Sequence, residues 1–173
     1  KFTFASGRLP GVLHAVKDSY RVLEIGGRRM SRYENVYLDA SDLRLYLSHH
    51  NGRQTRTKVR YREYADTGLA FFEIKNKLNT GVTVKHRMKT ERTGFRRINS
   101  GEESFLKEHL PSYIPGLEPM IGISYHRITL VNKDMNERLT IDTGLSFHDG
   151  KKEKSIPGLA IAEVKREKGA GRS

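Results

Sequence analysis

From Thr57 to Lys89 the chain reads TKVRYREYADTGLAFFEIKNKLNTGVTVKHRMK, with a charge at almost every second position. Residues i, i+2 and i+4 of a strand share a face. Lys58, Arg60 and Arg62 therefore share one face; Glu73, Lys75 and Lys77 share another, as do Lys85, Arg87 and Lys89. Later segments repeat the pattern with Arg138, Thr140 and Asp142, with Glu163 and Lys165, and with Arg127 in SYHRITL. A face so rich in Lys and Arg repels itself unless an anion neutralises it. Phosphate is the natural anion, because both side chains give charge-assisted hydrogen bonds to its oxygens. FFEIK and IAEVK each place a Glu two residues before a Lys. Glu73 and Glu163 can then hold Mg2+ or Mn2+ together with phosphate oxygens, or balance the neighbouring cations as salt bridges.

The opposite faces carry Val59 and Tyr61, then Phe72 and Ile74, then Val84, His86 and Met88. Alternation of this kind also suits an outer sheet face in water; its recurrence in five strands, weighted toward Lys and Arg, favours a lining instead.

Composition points the same way. Lys plus Arg total 32 against 20 Asp plus Glu, for a net charge of +12 over 173 residues. That field favours an anionic partner. With no cysteine, disulfides, thiolate catalysis and Cys-ligated zinc are excluded. No apolar run approaches a membrane span and no signal peptide is visible, so a cytoplasmic protein is expected. A phosphate-binding G-x-x-x-x-G-K-[ST] loop is missing, and the seven histidines do not fall at zinc-ligand spacing.

The elements must position these faces. SGRLPGVLHAVKDSY reads as a helix capped by Ser6, YRVLEI as a strand, Gly26-Gly27 as a hairpin turn, and RYENVYLD as its return. SDLRLYLSHHNG reads as a short helix capped by Ser41 or Asp42 and stopped at Asn51-Gly52. Strands over 55–65, 69–77 and 82–90 follow. SGEESFLKEHLPSY opens as a helix with Ser100 and Glu103 at capping-box spacing, ended by Pro111. GISYHRITLVN, ERLTIDTGLSF and LAIAEVKRE complete the set as strands. The predicted class is α+β: a mainly antiparallel, eight-stranded barrel with a few flanking helices, and residues 1–173 forming one domain. The abrupt ends, KFTF and GAGRS, suit a fragment of a longer polypeptide.

RYENVYLD, DLRLYLSHHNG, KVRYREY, FFEIKNK, VKHRM, SYHRITL, RLTIDTGLSF and AIAEVK occur in that order along nearly the whole chain. The ordered set resembles a VTC domain, the polyphosphate polymerase domain of the vacuolar transporter chaperone complex and its bacterial relatives, in the CYTH-like triphosphate tunnel metalloenzyme superfamily. The resemblance implies a barrel forming a basic tunnel, in which the γ-phosphate of ATP is moved onto polyphosphate with a divalent metal, often manganese. Carried over position by position, it makes Arg60, Arg62, Lys75, Lys85, Arg127 and Arg138 the phosphate-binding catalytic residues. Lys1, Lys58, Arg87 and Lys165 are weaker candidates for substrate binding. Glu163 is the implied metal ligand, with Glu73 a second candidate.

Four functions remain open at this point: an ATP–polyphosphate phosphotransferase, a metal-dependent triphosphatase, a non-catalytic polyphosphate or nucleotide sensor, and a nucleic-acid binder. The last ranks lowest. Phe71 and Phe72 face opposite ways and make no common stacking platform, and acids at 73 and 163 would repel a phosphate backbone without metal.

Overall fold

The computed structural model describes residues 1–91 and 93–166. It is an α+β fold, mostly antiparallel sheet with three helices. Its elements are β1 (Phe2–Ala5), α1 (Leu9–Val16), β2 (Tyr20–Val22), β3 (Met30–Asp39), α2 (Arg44–His50), β4 (Arg56–Tyr64) and β5 (Leu69–Lys77), followed by β6 (Thr83–Thr90), α3 (Ser100–His109), β7 (Glu118–Asn132), β8 (Glu137–His148), β9 (Glu153–Ser155) and β10 (Leu159–Arg166). Glu167, the end of the last expected strand, lies outside the described residues.

Eight strands follow the order β1-β10-β8-β7-β3-β4-β5-β6, with β2 added to β7 and β9 to β8. Among the described residues this path keeps two ends, where a closed barrel has none. At one end β6 carries Lys85, Arg87 and Lys89, all exposed, the kind of charge that keeps an edge strand unpaired. The chain divides into two compact units. The first holds Lys1–Tyr33, Ser124–Ser146 and the chain from Lys154 on; the second holds Glu34–Ile123 and Phe147–Glu153.

In the second unit the three predicted strands appear as β4, β5 and β6 within a residue of their expected bounds. Their alternation sends Val59, Tyr61, Phe72 and Ile74 into a core with Leu45 of α2 and Leu106 of α3. Each such burial is worth about 1.5–3 kcal/mol relative to exposure. The charged residues are thereby fixed on the other face. α3 is capped one residue earlier than the sequence suggested. Asn99 accepts from the Glu102 amide at 2.8 Å, and Glu102 accepts from the Asn99 amide at 2.9 Å. Tertiary pull explains the shift, since the Glu102 side chain is buried and bonded to Arg96, Tyr61 and Thr90, and Glu103 has no such partners within the core. α2 is held neither by Ser41 nor chiefly by Asp42: the buried Asp39 carboxylate accepts from the amides of Leu45 at 2.9 Å and Tyr46 at 2.7 Å. Leu43 takes a positive φ of 55° to make that entry.

In the first unit α1 packs Leu9, Val12, Leu13 and Val16 against Leu130, Leu139, Ile141, Ala160 and Ala162. Ser6 does not cap it; Ser6–Arg8 forms a separate 3-10 turn, and Pro10 sits in the first turn of α1. The Gly26-Gly27 turn forms, with positive φ at both glycines and one bridge between Ile25 and Arg28. The hairpin goes no further, because β2 pairs instead with β7, Tyr20 opposite Asn132 and Val22 opposite Leu130.

Candidate functional site

Register turns the alternation of β4, β5 and β6 into rows. Lys58 lies opposite Lys75, which lies opposite Lys85; Arg60 lies opposite Glu73, which lies opposite Arg87. The lysine row is exposed and contains no acid. The arginine row is different. Arg60 Nε donates to Glu73 Oε2 at 2.8 Å, its NH2 group lies 2.6 Å from the same oxygen, and its NH1 donates to the Tyr37 hydroxyl at 3.0 Å. Arg62 Nε donates to Asn35 Oδ1 at 3.0 Å and sits 3.8 Å from Glu73 Oε2. The side chains of Arg60, Arg62 and Glu73 are only 21%, 15% and 17% exposed. Such low exposure separates this cluster from the exposed residues around it on the same face. Arg87 is drawn over the Phe71 ring, 4.9 Å from its centroid.

The electrostatics of nearby groups register the surplus of cations. Burial raises the pKa of Tyr37, but Arg60, then Lys58 and Arg62, outweigh it and hold the phenol below its ordinary value. His49, at the end of α2, bonds through Nε2 to the Thr57 carbonyl at 3.1 Å. Its pKa is pushed down, first by burial and then by the charges of Lys58, Arg56 and Lys75.

The first unit carries the remaining predicted residues. Glu163 stands opposite Thr140, and Lys165 opposite Arg138. The Glu163 carboxylate lies 3.5 Å from Lys1 Nζ and 3.4 Å from Lys165 Nζ. Burial opposes its ionisation, yet Lys165 and Lys1 outweigh burial and lower its pKa. Arg127 is committed elsewhere: Nε and NH2 each donate at 2.6 Å to separate oxygens of Asp142. Its guanidinium lies 5.1 Å from both the Tyr33 and Tyr125 rings, which stack on one another.

The predicted residues thus form two groups. Lys58, Arg60, Arg62, Glu73, Lys75, Lys85 and Arg87 gather on one face of the second unit; Lys1, Arg127, Arg138, Glu163 and Lys165 belong to the first. Tyr37, Asn35 and Asp142 join them as direct partners of predicted arginines. Their signal was present in the period-two spacing of Asn35 and Tyr37 in RYENVYLD and of Asp142 in RLTID, but not the pairing that puts it to use. Among the described residues no three His, Cys, Asp or Glu side chains are placed to hold a metal. A divalent ion here fits only with ligands added by phosphate and water, which is the usual way Mg2+ is held. Glu163, partly exposed and flanked by Lys1 and Lys165, suits that arrangement better than Glu73, whose Oε2 is taken by two guanidiniums.

Two solved structures share the fold at low identity. A Vibrio parahaemolyticus protein named as a candidate adenylate cyclase matches with TM-score 0.54 and 12% identity, over 97% of this chain and 75% of its own. The PH1012 protein of Pyrococcus horikoshii OT3 matches with TM-score 0.50 and 11% identity, over 94% of this chain and 76% of its own. No curated protein matches the sequence. The model of the VTC domain matches residues 1–171, and the chain belongs to the VTC domain family.

Proposed function

We propose that this protein binds triphosphate and polyphosphate through its basic residues and transfers phosphoryl groups from ATP to polyphosphate. The observation that carries the reading is the half-buried Arg60–Glu73–Arg62 cluster beside an acid-free row of lysines, in a chain of the VTC domain family. Phosphoryl transfer asks little covalent chemistry of a protein; it asks for positioning and for neutralisation of charge on the phosphate oxygens. Lys58, Lys75 and Lys85 supply mobile point charges along a phosphate chain. Arg60 and Arg62, preset by Glu73, Tyr37 and Asn35, supply directional donors at little entropic cost. Arg138, Lys165 and Lys1 are the cations that this reading assigns within the first unit. Glu163 would hold Mn2+ or Mg2+ jointly with phosphate oxygens, and that ion would supply further charge neutralisation. ATP and polyphosphate or triphosphate are the partners of this reading, nucleic acid is not, and its setting is the cytoplasm. No helix of the described residues is long and apolar enough to cross a membrane.

A sensor reading has one observation in its favour: Arg127, expected to bind phosphate, already has its charge matched by Asp142 along the Nε–NH2 edge of its guanidinium. Incubation with ATP and Mn2+, with products resolved on a gel, decides. Long polyphosphate supports the transferase; free phosphate alone assigns a triphosphatase; unchanged ATP with measurable binding assigns a sensor.

A further inference from the structure

Tyr37 is a phenol drawn into the cationic face of the second unit, and the phosphate-binding reading above uses it only to preset Arg60. Its hydroxyl oxygen accepts from Arg60 NH1 at 3.0 Å. Its ring also lies beneath two predicted ligands, with Lys58 Nζ 6.0 Å and the Arg60 guanidinium 5.7 Å from the centroid. A phenol has one proton to donate as well as lone pairs to accept. The lone pair is used by Arg60; among the described residues, no acceptor takes the proton. A half-buried O–H held by an arginine and left with a proton to give is a donor awaiting an acceptor, and in this cluster the acceptor chemistry is anionic oxygen.

We propose that Tyr37 is a further substrate-binding residue, donating its phenolic proton to a phosphate oxygen of the triphosphate that Arg60 and Lys58 hold. The proposal rests on the phosphate-binding reading. It differs from a purely positional role, in which Tyr37 would serve only to orient Arg60. Ionisation separates the two. A phenolate would still accept from Arg60, and more strongly, but it could no longer donate and would repel phosphate. The charged groups around the phenol are Lys58, Arg60 and Arg62 on β4, with Glu73 of β5 beyond Arg60. These cations already favour the phenolate in the free protein and hold its ionisation below the ordinary value.

The test is calorimetric titration with inorganic tripolyphosphate, without metal, from pH 7 to 10, for the wild type and Tyr37→Phe. The phenylalanine keeps the ring beneath Lys58 and Arg60 and removes only the hydroxyl. At pH 7 the variant should bind about tenfold more weakly, the loss expected for a hydrogen bond to a charged acceptor. That ratio should shrink toward one as pH rises, because the wild type loses its donor while the lysines titrate alike in both. An equal affinity at pH 7, or a ratio constant to pH 10, overturns the proposal. A second measurement needs only the wild type: tyrosinate absorbance during alkaline titration, with and without tripolyphosphate. Bound phosphate should move one tyrosine's ionisation to higher pH, by linkage; unchanged titration counts against the donor role. Failure of the wild type to bind tripolyphosphate at all sinks the phosphate reading itself, and this proposal with it.

Discussion

Arg60 and Arg127 each project from a strand and each meets a carboxylate on the next one, yet the two pairs are built differently. Arg127 uses both oxygens of Asp142 in two parallel bonds and is flanked by the stacked Tyr33 and Tyr125. Burial works against its charge, but the Asp142 hydrogen bonds prevail and raise its pKa further. Charge there is matched one to one. Arg60 instead shares a single oxygen of Glu73 with Arg62, so one acid serves two guanidiniums and positive charge is left over. Arg–carboxylate contact alone therefore says little about role. Stoichiometry and geometry distinguish a one-to-one clamp from a cluster with surplus positive charge.

A third pair sets the upper end of the scale. Glu102 is fully buried and accepts from Arg96, Tyr61, Thr90 and the Asn99 amide. Glu102→Ala should cost about 3–5 kcal/mol of stability, since it strands a partly buried cation and a buried phenol. Urea denaturation measures it, and a loss below about 1 kcal/mol would show that water replaces the carboxylate without penalty. The wild type should also carry an acid-side signature. Burial alone would raise the Glu102 pKa, but Arg96, Asn99 and Tyr61 outweigh it and lower it. A carboxylate depressed in the folded state adds stability in full above its unfolded pKa, and loses it as pH falls through the lower folded value. Stability measured from pH 6 downward should fall more steeply in the wild type than in Glu102→Gln.

Breaking the Arg127 clamp should cost somewhat less, about 2–4 kcal/mol for Arg127→Ala, because the pair keeps some contact with water. Arg127→Lys should recover only part of that, lacking the two-pronged fit. Full recovery by lysine would reduce the clamp to simple charge matching and blur its contrast with Arg60.

Glu163→Gln sharpens the comparison from the catalytic side. If Glu163 holds the metal, turnover should drop about 10²-fold across a Mn2+ titration, with metal-free tripolyphosphate binding unchanged or tighter. Normal turnover at ordinary Mn2+, with a loss of stability, would return Glu163 to the same class as Asp142. The smallest effect belongs to the lysine row. Lys85→Met should leave stability within about 0.5 kcal/mol, since an exposed cation opposite another lysine contributes little to the fold. Tripolyphosphate affinity should nevertheless fall severalfold to about tenfold, and less so in high salt. Affinity that ignores both the substitution and the salt would separate the row from phosphate.

How much of this was legible beforehand depends on the range of the interaction. Period-two spacing placed Lys58, Arg60 and Arg62 on one face and Val59 and Tyr61 on the other, because a strand's side chains alternate whatever lies beside it. Turn chemistry placed β4, β5 and β6 almost to the residue, since Gly68 and Gly81 supply the positive φ their hairpins need. Local capping was less reliable. Ser100–Glu103 and Asn99–Glu102 have the same spacing, and burial of Glu102 chose between them.

The sequence by itself determined which residues share a face, the sign of the charge on that face and the family to which the chain belongs. Tertiary structure alone decided which carboxylate each arginine meets. Glu73 lies 13 residues from Arg60, Asp142 lies 15 from Arg127, and Tyr37 lies 23 from Arg60. Such partners are selected by strand register, and register is set by how whole strands bury their apolar faces rather than by the charged residues themselves.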